Sequence, residues 1–237
     1  VINKLKYLAQ VTSKGKVIDV VCYEKKFQEQ VMGLFRQGYP ISFDGNDLRE
    51  IRKIVKATDR TFVLAFCEDK LVGCLTGLRK VEGLNKVYVG GYLFVRKEFR
   101  RYGIATILLG IDEELLKTKA RIIMGVNAGI LPDYELSHQW FRSAGGVLLG
   151  TVKYWFRADL AGVFMGKVNP HIPLGEEIPK NSNWDPSMSD SITGKRITKR
   201  QYDRVINDPG HTPKEKWGLE LLRSEGMTIG MTSCMPR

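Results

Sequence analysis

Six consecutive residues, Arg100-Arg101-Tyr102-Gly103-Ile104-Ala105, set two guanidinium groups and a glycine directly ahead of a helical run. A chain that leaves a strand and enters a helix at such a point exposes unpaired backbone N–H groups at the positive end of the helix dipole. That makes a ready anion site. Gly103 lets the backbone approach an anion closely, Ala105 keeps the next position small, and the arginines add charge. The same residues also suit an ordinary tight turn, where glycine is common. Groups that could move protons are fewer. His138 titrates near neutral pH without any shift and could act as a base, or it could lie on a helix surface. Tyr134 could act as an acid, or be an exposed tyrosine at a helix start. Glu82 lies in a turn, and Tyr88 and Tyr92 on a strand. No metal site is expected: Cys22, Cys67, Cys74 and Cys234 lack CxxC spacing, and His138, His171 and His211 are scattered.

Those groups need elements to hold them. KVIDVVCYEK is valine-rich and bounded by charge, which predicts a strand. FQEQVMGLFRQG places Phe27, Val31, Leu34 and Phe35 at helical spacing and stops at Gly38. A second helix, DLREIRKIVKATD, takes Asp47 as its N-cap and turns Leu48, Ile51, Ile54 and Val55 to one side. TFVLAF and LVGCLTGLRKV form a hairpin about CEDK, and NKVYVGGYLFV is the fourth strand, which feeds the arginine turn. The next helix buries Ile104, Ile107, Leu108, Ile111 and Leu115 and keeps Asp112, Glu113, Glu114 and Lys117 as its polar side. RIIMGV is a short buried strand, 127–131 a loop, and Pro132 opens a helix ended by Gly145 and Gly146. GVLLGTVKYWFRADL is a final long strand. The order β-α-α-β-β-β-α-β-α-β predicts a mixed α/β domain over 17–160, behind a basic arm over 1–16.

The remaining residues, 161–237, form an extension that starts irregular and proline-rich. Two short helices follow, ITKRQYDRVIND and TPKEKWGLELLRSEG, the second with Thr212 as N-cap and Pro213 at its first position. Trp184, Trp217 and Leu221 make this tail too apolar for a free linker, so it should dock on the domain or on a protein partner. The formal charge of +11 calls for an anionic partner: a phosphate-bearing cofactor, nucleic acid or an acidic protein surface. Simple solubility would explain it too. KRITKRQYDR interleaves Arg, Lys and Tyr as a nucleic-acid-binding segment would, and equally as a charged helix face would. No apolar run approaches the roughly 20 residues of a membrane helix, and no leader resembles a signal peptide. A soluble, cytoplasmic protein is expected.

Arg100 to Ala105 fits the R/Q-x-x-G-x-G/A signature of the GNAT superfamily of N-acetyltransferases. It stands where that family has it, after a fourth strand and opening a third helix. CEDKLVG resembles the family's turn between its second and third strands, and Asn127 with the later SHQWFRSAGG resembles its second cofactor-facing segment. The resemblance implies acetyl-CoA, or another short acyl-CoA, as donor. Its pyrophosphate would lie on the N–H groups from Arg101 to Thr106, beside Arg100, with Asn127 also at the cofactor. The pantetheine arm would pair with the strand ending at Phe94 and Val95, and a main-chain N–H near Val95 would polarise the thioester carbonyl. An amine of a small molecule or protein would attack directly, helped by a base and an acid. Where many members carry an acidic tyrosine this chain has Phe141, which has no proton to give. Tyr134, His138 and Glu82 are then the candidates for catalysis. The departure leaves a second expectation, a non-catalytic part of the same fold, as in internal proteins of tailed-phage virions that resemble acetyltransferases.

Overall fold

Apolar residues on alternate sides of Lys16–Cys22 make that segment a strand whose Ile18 and Val20 are fully buried. It is the second strand of a computed structural model that describes residues 7–38, 45–56, 61–77, 79–80, 86–128, 132–157, 160–172 and 216–231. The chain divides into two compact units: one from Val1–Lys80, Gly90–Thr118 and Trp217–Arg237, the other from Val81–Val89 and Lys119–Lys216.

The first unit holds strands β1 (Tyr7–Ser13), β2 (Lys16–Cys22), β3 (Val63–Cys67), β4 (Lys70–Leu75) and the two-residue β5 (Arg79–Lys80). It also holds β7 (Leu93–Val95) and β11 (Thr228–Met231), with helices α1 (Gln28–Arg36), α2 (Gly45–Ile54), α3 (Ile104–Leu115) and α5 (Leu219–Ser224). Its antiparallel sheet runs β11-β1-β2-β3-β4-β7. Both β1–β2 and β3–β4 close through two-residue turns, Lys14-Gly15 and Glu68-Asp69, in which each residue has positive φ. That geometry matches the right-handed twist of the flanking strands. Period-two alternation divides the core between two faces. Val63, Ala65 and Cys67 meet Ile104, Ile107, Leu108 and Ile111 of α3, together with Leu222 of α5. Leu64 and Phe66 meet Val31, Leu34 and Phe35 of α1 and Ile51 of α2. Each such Val, Leu, Ile or Phe side chain contributes about 1.5–3 kcal/mol on burial.

Several expectations change here. The basic arm over 1–16 supplies β1, which pairs with β2 and β11. Its register shifts between Tyr7 and Ala9, so its buried residues, Leu8, Ala9 and Val11, do not alternate cleanly. The expected fourth strand is two: β6 (Val87–Val89), which belongs to the second unit, and β7. Gly90 and Gly91 separate them. A Cβ on Gly91 would stand 2.3 Å from Thr76 Oγ1 and 2.6 Å from the Gly77 carbonyl, so only glycine fits. The Tyr92 N–H donates to the Thr76 hydroxyl at 2.7 Å in place of a carbonyl.

The second unit holds β6, β8 (Ile122–Ala128), α4 (Pro132–Ser143), β9 (Val147–Arg157) and β10 (Leu160–Val168). Its strands lie in the order β6-β8-β10-β9, with β6 parallel to β8 and the rest antiparallel. Asn127, expected in a loop, lies within β8 opposite Val163. The domain boundary near Leu160 also moves, since β10 continues to Val168 as the central partner of β8 and β9. The buried Asn169 ends that strand: its amide donates to the Ala120 carbonyl at 2.6 Å and its side-chain oxygen accepts the His171 N–H at 2.9 Å.

In the tail, α5 begins at Leu219, after Gly218, rather than at Thr212. Thr212, Pro213, Trp184, His211, Cys234 and ITKRQYDRVIND lie outside the described residues. Trp217 is fully buried, so the part from Trp217 to Met231 docks on its own chain.

Candidate functional site

Strand β7 ends the first sheet, and its register decides which main-chain groups are available. Leu93 faces Leu75, Phe94 faces Cys74 and Val95 faces Gly73. The Arg96 N–H donates to the Val72 carbonyl and the Thr76 N–H to the Tyr92 carbonyl, both at 2.9 Å. Residues 92, 94 and 96 therefore turn their main chain to β4, and antiparallel alternation turns that of Leu93 and Val95 to the outer edge. Phe94, expected at the cofactor, spends its ring in the core 6.0 Å from Phe35 and its main chain on β4. Leu93, which the sequence reading did not name, shares the outward edge with Val95.

A single 3-10 turn, Lys97–Phe99, follows, and then the arginine turn. Arg101 and Gly103 both have φ of +71°. For Arg101 that backbone costs about 1–2 kcal/mol; Gly103 adopts it freely. Gly103, the N-cap of α3, has no side chain with which to bond the helix start, and no acid stands in the first turn. The first intrahelical bond runs from the Ile107 N–H to the Gly103 carbonyl at 2.9 Å. The N–H groups of Ile104, Ala105 and Thr106 precede it. Arg100 and Arg101 are exposed, Tyr102, Gly103, Ala105 and Thr106 half-buried, and the Ile104 side chain is in the core. The Arg100 Nε lies 3.4 Å from the Val95 carbonyl, which ties the turn to the strand edge. This continuous segment brings together every expected cofactor residue from Val95 to Thr106.

Of the others, Glu82 lies outside the described residues. Tyr134 and His138 fall on α4, four residues apart on one side of the helix, and Asn127 on β8; of these three the backbone alone is described. Phe141 is buried, and its ring occupies the space a Cβ on Gly146 would need, at 2.0 Å. The Gly146 N–H also donates to the Phe141 carbonyl at 2.9 Å. A phenyl ring thus anchors the end of α4 where the family resemblance looked for an acid.

Two pairs of polar residues were not foreseen. The Tyr92 hydroxyl donates to Asp47 Oδ1 at 3.0 Å, and its ring meets Phe35 edge-on with centroids 6.2 Å apart. Asp47 is the third residue of α2 rather than its N-cap, because the helix starts at Gly45. Period two along GGYLFV puts Tyr92 and Phe94 on one face, which was a usable signal for this pair. The second pair, Asp112 and Glu113, was expected on the polar side of α3 and is fully buried. Burial pushes the Asp112 carboxyl up to about 7. The Thr61 hydroxyl lowers it somewhat without reaching either oxygen in hydrogen-bond geometry, and the Glu113 charge raises it. Glu113 accepts the Gly218 N–H on Oε2 at 2.9 Å, and its carbonyl accepts the Trp217 indole N–H at 2.8 Å.

Among the described residues no group of three or more His, Cys, Asp or Glu is arranged to hold a metal ion, and no helix is long and apolar enough to cross a membrane.

Known proteins agree with this architecture. Residues 28–129 match the model of the Acetyltransferase (GNAT) family. No curated protein matches the sequence. A GNAT-family protein from Desulfovibrio desulfuricans is similar in structure with a TM-score of 0.57 at 14% identity, over 64% of this chain and 98% of its own. An aminoglycoside 6'-N-acetyltransferase complexed with coenzyme A is similar with a TM-score of 0.55 at 17% identity, over 66% of this chain and 99% of its own. The ribosomal α-N-protein acetyltransferase RimL, in complex with coenzyme A, gives 0.54 at 16% identity, over 67% and 97%. At such identities the likeness is one of fold. Sequence signature, strand edge and glycine-led helix start coincide on one segment, and residues 28–129 are similar to the GNAT acetyltransferase family in sequence and in fold.

Proposed function

We propose that the protein is an acyl-CoA-dependent N-acyltransferase that moves an acetyl or other short acyl group to an amine. The observation that carries this reading is the start of α3. It has no side-chain cap and no acid, is entered through left-handed Gly103, and is flanked by exposed Arg100 and Arg101. A pyrophosphate fits such donors. It also answers the excess of positive charge. Bound there, acyl-CoA would supply an activated thioester, and the rest falls to the chain. Backbone N–H groups from Arg101 to Thr106 hold the phosphates. The outward N–H of Leu93 or Val95 donates to the thioester carbonyl oxygen and favours negative charge on it.

The acceptor amine must lose a proton as it attacks, and the departing sulfur must gain one. His138 and Glu82 are the candidate bases and Tyr134 the candidate acid; Phe141 can be neither. An amine acceptor suits the relatives, which by name act on aminoglycosides and on a ribosomal protein. It also suits Asp47, a carboxylate fixed by Tyr92 beside the start of β7.

Titrating the full chain with acetyl-CoA by calorimetry tests the reading. Binding is expected, and Arg101→Glu should weaken it by about tenfold or more, since an exposed charge is reversed beside the phosphates. Gly103 is a poorer probe, because any side chain there meets Met227. Absence of binding at millimolar acetyl-CoA would overturn the enzyme reading in favour of a non-catalytic part of the same fold. Where binding is found, turnover on a panel of amines identifies the acceptor.

A further inference from the structure

The Arg100–Thr106 turn does not hold its shape by itself. It has no side-chain cap, and two of its residues, Arg101 and Gly103, sit in the left-handed region. What packs against it comes from the far end of the sequence. A Cβ on Gly103 would lie 2.4 Å from Met227 Cε and 3.6 Å from Ser13 Oγ, so the methionine tip fills the place a side chain would take.

Met227 is the last of three contacts made by one segment along the whole of α3. At the C-terminal end of the helix, Trp217 and Gly218 donate to Glu113 at 2.8 and 2.9 Å. Gly218 has positive φ and no room for a Cβ, which would stand 3.0 Å from the Glu114 nitrogen. In the middle, Gly110 admits Leu222, whose Cγ would lie 2.8 Å from a Cβ there. At the N-terminal end comes Met227 on Gly103. The segment then enters β11, which pairs Thr228 with Thr12 and Ile229 with Val11, beside Ser13. It is a strap running antiparallel to α3, latched at Glu113 and stitched into the sheet beyond Gly103.

We infer that Met227 is a positioning residue: through it, the docked strap Trp217–Met231 holds the Arg100–Thr106 turn in the conformation that presents its N–H groups to an anion. This rests on the acyl-CoA reading for its consequence, which is that donor affinity depends on the strap. An unbranched, polarizable side chain suits the role, since it fills the irregular space over a glycine without demanding one rotamer.

The test uses the full chain with Met227→Ala, Met227→Leu and Trp217→Phe. Hydrogen exchange of the amides from 101 to 106 is read alongside acetyl-CoA titration. In Met227→Ala these amides should exchange about tenfold faster or more while β3 and β4 stay protected. Acetyl-CoA affinity should fall by about tenfold, with KM for the donor raised and kcat little changed. Met227→Leu should restore both. Trp217→Phe, which loses the donor to the Glu113 carbonyl, should speed exchange at the same amides although it alters only the far end of the helix. Unchanged exchange at 101–106 in Met227→Ala would overturn the inference, as would a rise spread evenly over β3 and β4, which marks general loss of stability. If the unaltered protein binds no acetyl-CoA, the enzyme reading fails, and the exchange measurement still decides whether Met227 holds the turn.

Discussion

Asp112 shows what a single buried group does to the pH response of the protein. Its carboxyl is raised to about 7, from an unfolded value near 4, chiefly by burial. The folded chain therefore holds a proton there that the unfolded chain has lost. Between about pH 4 and 7 the folded state binds more protons than the unfolded one, so this group makes stability fall as pH rises through that window. Asp112→Asn should remove the slope. Denaturant unfolding should find the variant more stable near pH 8, on the order of 4 kcal/mol, and nearly equal to the parent near pH 4. A parent whose stability climbs with pH across the window would contradict this assignment. Residues of this kind were not legible in the sequence. Asp112, Glu113 and Glu114 form a run of acids that reads as a solvated helix side, and what buries Glu113 lies beyond residue 216. Gly103 was legible because its neighbours on both sides form a recognisable spacing. Phe94 was half legible: the strand was right, but which of its residues turn outward follows from pairing with Gly73 and Cys74.

At the scale of elements, α1, α3 and α4 follow from periodicity and turn residues and stand within a residue or two of expectation, whereas α2 ends at Ile54 rather than Asp59 and the second hairpin strand ends at Leu75 rather than Val81. The missed strands share one cause. β1, β10 and β11 are strands whose partners are distant or whose pattern is interrupted. A register shift spoils the alternation of β1, and β11 is four residues long. The helix α5 is only six residues, too short to persist without packing. Its stability must come from packing, through its own Leu221 and Leu222 and through Trp217 just ahead of it, the largest fully buried side chain among the described residues. Trp217→Ala should cost about 3–5 kcal/mol in the unfolding free energy of the first unit, since it leaves a cavity and strands the Glu113 carbonyl. Thermal unfolding measures this. A melting temperature within a degree of the parent would mean that the strap contributes nothing to the fold.

At the scale of the whole molecule, the net charge of +11 and the proposed site for a phosphate-bearing donor predict a salt dependence that neither feature predicts alone. Acetyl-CoA affinity should fall severalfold between about 0.05 and 0.5 M salt, because screening at those strengths reaches charges a few ångströms from Arg100 and Arg101. Affinity indifferent to salt would place the phosphates away from these side chains. The pairing of β1 with the much later β11 has a further consequence in time. Thr12 pairs with Thr228, and Met227 reaches Gly103 only when that pairing is made. On the ribosome, β1 must wait, with one edge bare, until Thr228–Met231 has been made before its outer neighbour exists. Closing so long a loop is slow, and an unpaired strand edge is open to other chains meanwhile. The Arg100–Thr106 turn should therefore take its final shape only after β11 has been made, with a vulnerable period set by the rate of translation.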